Sequence, residues 1–209
     1  MKCSTKLDER IIIRHIGIMA LLKIAKMGHS VLHQVAELVE DPTSPEAAAI
    51  VEDMLETLED SGGLGLAAPQ VHIPKRIVTF FVPENRTSED ENDGPEELKI
   101  MVNPEIEYLT EEKELDWEGC LSVPYLMGSV PRYTKIRYSW TDLSGTRKER
   151  VAIGFHARTV QHECDHLDGI LYPMRMTDFR LLGFEEEINR NPKMIKAGAA
   201  PWRDVEDEG

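Results

Sequence analysis

The sequence HECDH at residues 162–166 constrains the fold more than any other feature of this chain. On a helix, His162 and His166 lie on one face about 6 Å apart in height, so both imidazoles can bind one divalent ion. Glu163 lies about 100° further around the helix, where it can act as a general base toward a water activated by that ion. An amphipathic helix with incidental histidines is the alternative. A catalytic site would need a third protein ligand from elsewhere in the chain.

The identity of that third ligand separates the kinds of enzyme that carry the motif. A histidine six residues after His166 would complete one zinc-protease pattern, but that residue is Tyr172. Cys164 points about 200° away from both histidines and is expected in the core. Cys120 is the remaining candidate outside the N-terminal residues, and a Cys, His, His set suits an open tetrahedral site. A buried structural cysteine and a cysteine nucleophile are the alternatives, although a nucleophile would leave one histidine and Glu163 without a role.

A run of small residues, GLGLAAPQ at residues 63–70, contains the pattern G-x-G-x-x-A of dinucleotide-binding proteins. That fold needs a strand before the run and a helix after it, whereas a predicted helix precedes this run and Pro69 follows at once. Small residues instead allow the backbone to approach a ligand closely, and Gln70 offers an amide donor. A helix-capping turn is the alternative.

The spacing of apolar residues predicts helices at the two ends of the chain with strands between them. The predicted helices cover residues 44–60, 154–167 and 178–189, and the predicted strands cover residues 76–82, 100–102, 135–141 and 148–153. A hairpin turn is predicted at residues 143–145. This order favours the α+β class over an alternating α/β chain.

Charge and composition exclude several classes of function. The 209 residues carry 24 basic and 38 acidic side chains, and this net charge of −14 repels phosphate backbones and anionic lipid, so neither DNA nor a membrane is expected as a partner. No apolar stretch approaches the ~20 residues that span a bilayer. Three cysteines, an odd number, favour a reducing compartment, here the cytoplasm. Residues 84–118 hold 14 acids and 3 bases and are predicted to form a solvated insertion.

Together, the three motifs resemble the signatures of the peptide deformylases, which are G-x-G-x-A-A-x-Q, E-G-C-L-S and Q-H-E-x-D-H in this order. Here they occupy residues 63–70, 118–122 and 161–166, and the resemblance extends from about Met19 to about Phe184. It implies an α+β fold in which antiparallel or mixed β-sheets surround a central helix carrying H-E-x-x-H, with a C-terminal helix. It also implies removal of the N-formyl group from formylmethionine of newly synthesised polypeptides, with release of formate.

By the same resemblance, Cys120, His162 and His166 would hold one divalent metal ion, and Glu163 would be the general base and then the general acid. Ferrous iron is commonly the physiological metal in this family, and zinc, nickel or cobalt can replace it. The spacing alone would suggest zinc, since thiolate and imidazole suit both zinc and iron. The prediction is therefore one Fe²⁺, with Zn²⁺, Ni²⁺ or Co²⁺ as substitutes.

Other residues match the positions at which the family contacts its substrate. Gln70 and the backbone N–H of Leu121 would stabilise the oxyanion. Many relatives carry a basic residue near position 127 that contacts the peptide, whereas this chain has Met127, a departure that bears on its affinity for longer peptides. The remaining predicted substrate contacts are Leu64, Gly65, Gly119, Arg158 and Thr159.

The predicted organisation has one catalytic domain with additions at both ends. Residues 1–18 are an N-terminal extension that can be disordered, residues 19–190 are the catalytic domain, and residues 191–209 are a flexible acidic tail. The implied partners are N-formylmethionyl nascent peptides, with transient proximity to the ribosome. Some relatives dock there through a basic C-terminal helix, and the acidic tail predicts no such docking. An H-E-x-x-H endopeptidase and a catalytically silent binding homologue are the alternative functions.

Overall fold

Two antiparallel β-sheets and four α-helices form the described part of the chain, which is residues 21–199 of the computed structural model. The helices are α1 (Pro45–Ser61), α2 (Gly154–Leu167), α3 (Glu185–Arg190) and α4 (Pro192–Gly198). The strands are β1 (Gly65–Ala67), β2 (Ile77–Val82), β3 (Glu96–Tyr108), β4 (Lys113–Cys120), β5 (Val123–Tyr133), β6 (Lys135–Thr141), β7 (Arg147–Ile153) and β8 (Leu182–Phe184). None of the helices in the described residues is long and apolar enough to cross a bilayer. The predicted α+β class is confirmed, and the predicted extension of residues 1–18 lies outside the described residues.

The strands pair in two separate antiparallel sheets. The first has the order β1-β2-β3-β6-β7 and the second has the order β4-β5-β8. Strands β6 and β7 form the predicted hairpin, whose turn contains Gly145 at a φ of 81°, a conformation that glycine adopts without strain. In the β4–β5 hairpin the register shifts between Gly119 and Cys120. The shift places Cys120 at the end of its strand.

Helix α1 lies close to its predicted bounds because both of its ends carry capping residues. The Ser44 hydroxyl accepts a hydrogen bond from the backbone N–H of Ala47 at 3.2 Å, Pro45 occupies the first turn, and Gly62 ends the helix at a φ of 66°. The buried face of α1 joins residues of β1 to β3 in one apolar cluster, which includes Val51, Met54, Leu58, Leu66, Ile77 and Val102. This cluster fixes the start of the segment at residues 63–70.

Helix α2 is the predicted central helix, and most of its residues are buried. One face packs into the core formed with β2, β3 and β6, through Ala157, Val160, Cys164 and Leu167. Cys164 is therefore a core residue, as its position on the helix predicts. The other face turns His162 and His166 toward Cys120 at the end of β4.

The acidic segment that follows β2, residues 84–98, is mostly exposed, as its charge predicts, but two of its acids are bound by the fold. Asp93 is 5% exposed, and its carboxylate accepts a hydrogen bond from the backbone N–H of His156 at 3.2 Å. A side chain at Gly154 would overlap that carboxylate. Ile153, which precedes α2, offers no capping side chain, so Asp93 caps the helix from a distant part of the chain. Glu96 is also engaged, since it forms ion pairs with two basic side chains.

The third predicted helix, residues 178–189, is wrong over its first half. Phe179–Leu181 form a 3₁₀ turn and Leu182–Phe184 form β8, so only α3 is helical within that range. Gly183 pairs with Met127 of β5. Residues 182–184 pair with the edge of β5 as the third strand of this sheet. This tertiary pairing overrides the helix predicted from the spacing of the apolar residues.

Helix α4 lies within the segment predicted as a flexible acidic tail, and it packs on the domain. The Trp117 indole N–H donates to the carbonyl oxygen of Ile195 at 3.0 Å, and the Ser129 hydroxyl donates to that of Gly198 at 2.6 Å. The folded domain thus extends past residue 190 to at least Gly198. Residues 200–209 of the predicted tail lie outside the described part of the chain.

Candidate metal centre and active site

The three predicted metal ligands come together at the inner face of α2. The ring centroids of His162 and His166 are 5.2 Å apart, as expected one helical turn apart. The Cys120 Sγ lies 3.3 Å from the His166 Nε2. One ligand atom from each of the three residues lies within 4.8 Å of the others. The arrangement predicted from the spacing is therefore present in the structure.

Glu118 sets the orientation of His162. Its Oε2 lies 2.8 Å from the His162 Nδ1, and the carboxylate also accepts hydrogen bonds from Arg132 at 2.8 and 2.9 Å. Burial alone would raise the pKa of Glu118, but Arg132 and His162 hold it well below its usual range. An ionised Glu118 accepts the Nδ1 proton, which leaves the Nε2 of His162 as the ligand atom.

Arg132 joins the hairpin to the helix. Besides Glu118, it donates to the Asp165 carboxylate at 2.5 Å, and Arg175 donates to the same carboxylate at 2.6 Å. Arg132 is 4% exposed. Because each buried charge in this group has an opposite partner, β4, β5 and α2 are held in one geometry around the ligands.

The chemistry of the three donors fits one divalent transition-metal ion. Burial would raise the pKa of the Cys120 thiol, yet His166 and His162 hold it well below its usual range, which favours the thiolate that binds metals. Two neutral imidazoles and a thiolate suit iron and zinc alike. The buried Oε2 of Glu163 has no hydrogen-bond partner within residues 21–199, as expected where a further group is to be bound.

Glu163 is a buried carboxyl group next to the ligands. It is 5% exposed, and burial raises its pKa to about 6, although His162 and His166 act in the opposite direction. Gly65 of β1 lies against it so closely that a Cβ at that position would overlap the Glu163 Oε1. The predicted role of Gly65 was substrate contact. The structure adds that a glycine there leaves room for the carboxyl group.

Gln70, the predicted oxyanion donor, lies beside Cys120. It is 1% exposed, and its Oε1 accepts the backbone N–H of Ala67 at 2.8 Å, which fixes the amide orientation. Its Nε2 donates to the Ser122 hydroxyl at 3.2 Å and lies 3.6 Å from the Cys120 Sγ. Leu121 follows Cys120 directly, and its carbonyl oxygen accepts a hydrogen bond from Lys26 at 2.8 Å.

A cavity of about 550 Å³ opens onto this centre. Its walls contain every predicted substrate contact, namely Leu64, Gly65, Gly119, Arg158 and Thr159. They also contain Gln70, Cys120, Leu121, His162 and Glu163. His166 lies behind this wall and is 2% exposed.

The charged end of Arg158 is bound to the protein itself. Its guanidinium donates to the Glu118 carboxylate at 2.9 Å and to the carbonyl oxygens of Val130 and Glu114, each at 2.8 Å. The residue is 6% exposed. Its charge therefore acts on Glu118, while the rest of the side chain contributes to the cavity wall.

The sequence pattern does not predict that several other residues lie at this site. Arg132 comes near the centre only because β5 folds beside β4, and Arg86 and Phe155 reach the cavity wall from the acidic segment and the first turn of α2. Arg86 does have one unusual feature in the sequence, since it is a single base among acids.

The fold and the centre match one class of protein, the metal-dependent hydrolases, with a cysteine from a β-hairpin placed where it could complete the ligand set of an H-E-x-x-H helix. The sequence model of one family, described as polypeptide deformylase, matches residues 21–181. The chain belongs to this enzyme family.

Similar proteins cover most of the chain. Peptide deformylase 1 of Bordetella pertussis is 50% identical over 163 residues, which are 78% of this chain and 92% of that protein. Peptide deformylase 2 of Ralstonia nicotianae is 49% identical over 163 residues, 78% of this chain and 91% of that protein. The crystal structure of the class I type b peptide deformylase from Acinetobacter baumannii with Met-Ala-Ser bound has a TM-score of 0.68 and 38% identity, covering 76% of this chain and 99% of that chain.

Proposed function

We propose that this chain is a peptide deformylase that removes the N-formyl group from N-formylmethionine of newly synthesised polypeptides and releases formate. The observation that carries the proposal is a buried carboxyl group, Glu163, with a pKa near 6 beside three ligand atoms within 4.8 Å of one another at one cavity. Membership of the deformylase family supports the same reaction.

In this proposal Cys120, His162 and His166 hold one divalent ion, which is Fe²⁺ in the cell and can be replaced by Zn²⁺, Ni²⁺ or Co²⁺. The ion would supply a Lewis acid that activates water and polarises the formyl carbonyl group. Glu118 holds His162 through its Nδ1, which leaves the Nε2 for the ion, and the lowered pKa of the Cys120 thiol favours the thiolate.

Glu163 moves the proton during the reaction. Its carboxylate accepts a proton from the attacking water as the water oxygen bonds to the formyl carbon. A pKa of about 6 leaves the group mostly ionised at neutral pH and basic enough to take that proton. When the C–N bond breaks, Glu163 returns the proton to the departing amine, and the products are formate and a free N-terminus.

Gln70 and the backbone N–H of Leu121 stabilise the negative charge that develops on the formyl oxygen. The backbone N–H of Ala67 holds the amide oxygen of Gln70, so the Nε2 donor is oriented before the reaction and has only to exchange a hydrogen-bond partner. One such preorganised donor is worth about 10²–10³ in kcat.

The remaining cavity residues position the peptide. Leu64, Leu121 and Thr159 border the space for the methionine side chain, and the backbones at Gly65 and Gly119 pair with the substrate chain. Arg158 acts mainly through Glu118, to which its guanidinium donates. We assign the catalytic domain to residues 19–190, extended by α4.

We place the protein in the cytoplasm, where nascent chains emerge and a free thiolate ligand stays reduced. Its partners are N-formylmethionyl nascent peptides, with transient proximity to the ribosome and no docking through residues 191–209. Cosedimentation with purified ribosomes tests the last point. Binding that is lost when residues 191–209 are deleted would contradict it.

The test of the function is formate release from a short formylmethionyl peptide after anaerobic loading with Fe²⁺. Glu163→Gln should lower kcat/KM by about 10²–10⁴-fold while the iron content stays at one ion per chain. Glu149→Gln removes the same charge from an exposed site on β7 and is the matched control. Cys120→Ala should lose the metal.

Two results would contradict the proposal. Iron bound at one ion per chain without formate release from any formyl peptide would indicate a silent binding homologue. Cleavage of an unformylated protein, lost in Glu163→Gln, would indicate an endopeptidase.

A further inference from the structure

Arg86 is an unusual residue within the acidic segment after β2. Residues 84–98 hold seven acids and one base, which is Arg86. It ends the 3₁₀ turn Glu84–Arg86. Within residues 21–199, its guanidinium forms no ion pair and donates no hydrogen bond, whereas Glu96 of the same segment pairs with Arg150 and Lys99. The local acids therefore do not neutralise Arg86.

The guanidinium of Arg86 is held over an aromatic ring at the catalytic cavity. Its carbon Cζ lies 4.1 Å from the centroid of the Phe155 ring, a cation–π contact. Both residues line the cavity. The Phe155 carbonyl oxygen also accepts the hydroxyl of Thr159, a predicted substrate contact, at 3.0 Å. Arg86 thus forms part of the wall that continues from the predicted methionine pocket.

Three basic side chains line this cavity, and they differ in what they bind. Lys26 donates to the carbonyl oxygen of Leu121 at 2.8 Å, and Arg158 donates to the buried carboxylate of Glu118 at 2.9 Å. Arg86 has no acceptor within the described part of the chain. It is the cavity cation whose planar fork remains available to a carboxylate from outside.

The distance along α2 indicates which part of a substrate Arg86 can reach. Phe155 precedes His162 by seven residues, which is about 10 Å along the helix axis. An extended peptide advances about 3.3 Å per residue. A peptide whose formyl group lies at the ligands, and whose chain runs toward the first turn of α2, would place the side chain of its second or third residue near Arg86.

We propose that Arg86 is a specificity-determining residue that forms an ion pair with an acidic side chain at the second or third position of the formylated peptide. The inference rests on the proposed deformylase function. Through Arg86, the acidic segment that caps α2 would also contact the substrate directly.

The test compares kcat/KM for two pairs of peptides, formyl-Met-Asp-Ala against formyl-Met-Asn-Ala and formyl-Met-Ala-Asp against formyl-Met-Ala-Asn, all with amidated C-termini. The wild type should prefer aspartate to the isosteric asparagine by about 5–10-fold in one pair at low salt, and the preference should shrink as salt rises. Arg86→Met should bring that ratio to 1 or below. Arg86→Lys should keep part of it.

Arg180→Met is the matched control, because it removes the same charge from an exposed arginine that does not line the cavity. It should keep the wild-type ratio. An aspartate-to-asparagine ratio that is the same in Arg86→Met and wild type at both positions would overturn the proposal, even if both rates fall.

A second measurement separates this proposal from the deformylase function. Calorimetry measures binding and needs no turnover. It gives the affinities of the unformylated products, which are Met-Asp-Ala, Met-Asn-Ala, Met-Ala-Asp and Met-Ala-Asn. The same loss of preference in Arg86→Met would support the proposal. If the wild type releases no formate but still binds the aspartate peptides more tightly, the result counts against the proposed reaction alone. If Arg86→Met binds with the same preference as the wild type, the result counts against the role of Arg86.

Discussion

Gly65 shows how one absent side chain can determine the position of a carboxyl group, here that of the proposed general base. Its missing Cβ leaves room for the carboxyl group of Glu163, which is buried and cannot move far. Gly65→Ala should shift that carboxyl group, because a Cβ there would overlap it. We expect kcat to fall by about 10–100-fold and the free energy of unfolding by about 1–3 kcal/mol, with metal content unchanged.

Gly119→Ala is the comparison for folding, since the nearest atom to its added Cβ would lie 3.9 Å away, in ordinary contact. Its free energy of unfolding should stay within about 1 kcal/mol of wild type. An unchanged kcat in Gly65→Ala would show that Glu163 does not need its present position.

His156 should make the stability of the fold depend on pH. It is fully buried, its Nε2 lies 3.0 Å from the Tyr138 hydroxyl oxygen, and burial lowers its pKa to about 4. The unfolded chain, with a pKa near 6.5, takes up a proton before the folded chain does, so stability falls as pH drops from about 6.5 toward 4. Between pH 7 and pH 5 the expected loss from this group is about 2 kcal/mol.

Urea unfolding of wild type and His156→Gln, both loaded with zinc, isolates this contribution. Acid also weakens the metal site, but it does so equally in both proteins. The variant should lose about 2 kcal/mol less than wild type between pH 7 and pH 5. Equal losses would show that His156 is not kept neutral by burial.

Helix α2 depends on Asp93 for its N-terminal cap. Asp93→Ala would leave the backbone N–H of His156, in the first turn of a buried helix end, without its acceptor. The expected loss in the free energy of unfolding is about 1–2 kcal/mol. Glu89→Ala removes an exposed acid from the same segment and should change stability by less than about 0.5 kcal/mol. Equal effects of the two substitutions would contradict the capping role.

The sequence was sufficient for elements whose signals are local. Ser44, Pro45 and Gly62 mark the ends of α1, and the spacing of His162 and His166 fixes their common face on any helix, so both were predictable. Residues 182–184 were not, because their strand exists only where the edge of β5 is available. A local pattern cannot report a pairing partner that lies more than fifty residues away.

The same distinction holds within the site. The proximity of Cys120, His162 and His166 is predictable because their motifs are short and ordered along the chain. Arg132 and Asp93 were not assigned their roles, since each acts on a group from a distant part of the chain. The net charge of the segment around Asp93 predicts that the segment is solvated. A net charge cannot distinguish one buried acid from its exposed neighbours.

The C-terminal segment is part of the folded unit as far as α4. Deleting residues 192–209 would remove the carbonyl acceptors of Trp117 and Ser129 and expose the indole. Deleting residues 200–209 alone keeps α4 and also removes Trp202, so this shorter deletion is the control for fluorescence. Relative to it, we expect deletion of residues 192–209 to give a red shift in tryptophan fluorescence and a Tm lower by about 3–6 °C. The control should keep the Tm of the full chain. Equal effects of the two deletions would show that α4 does not stabilise the domain.

The ion pairs of Arg132 with Glu118 and Asp165 have a consequence for the supply of metal in the cell. They join the hairpin that carries Cys120 to the helix that carries His162 and His166. Ion pairs of the protein itself would keep these two elements together while one metal leaves and another binds. The metal that the enzyme carries would then follow the availability of free ions around it, and could change during the lifetime of a single molecule.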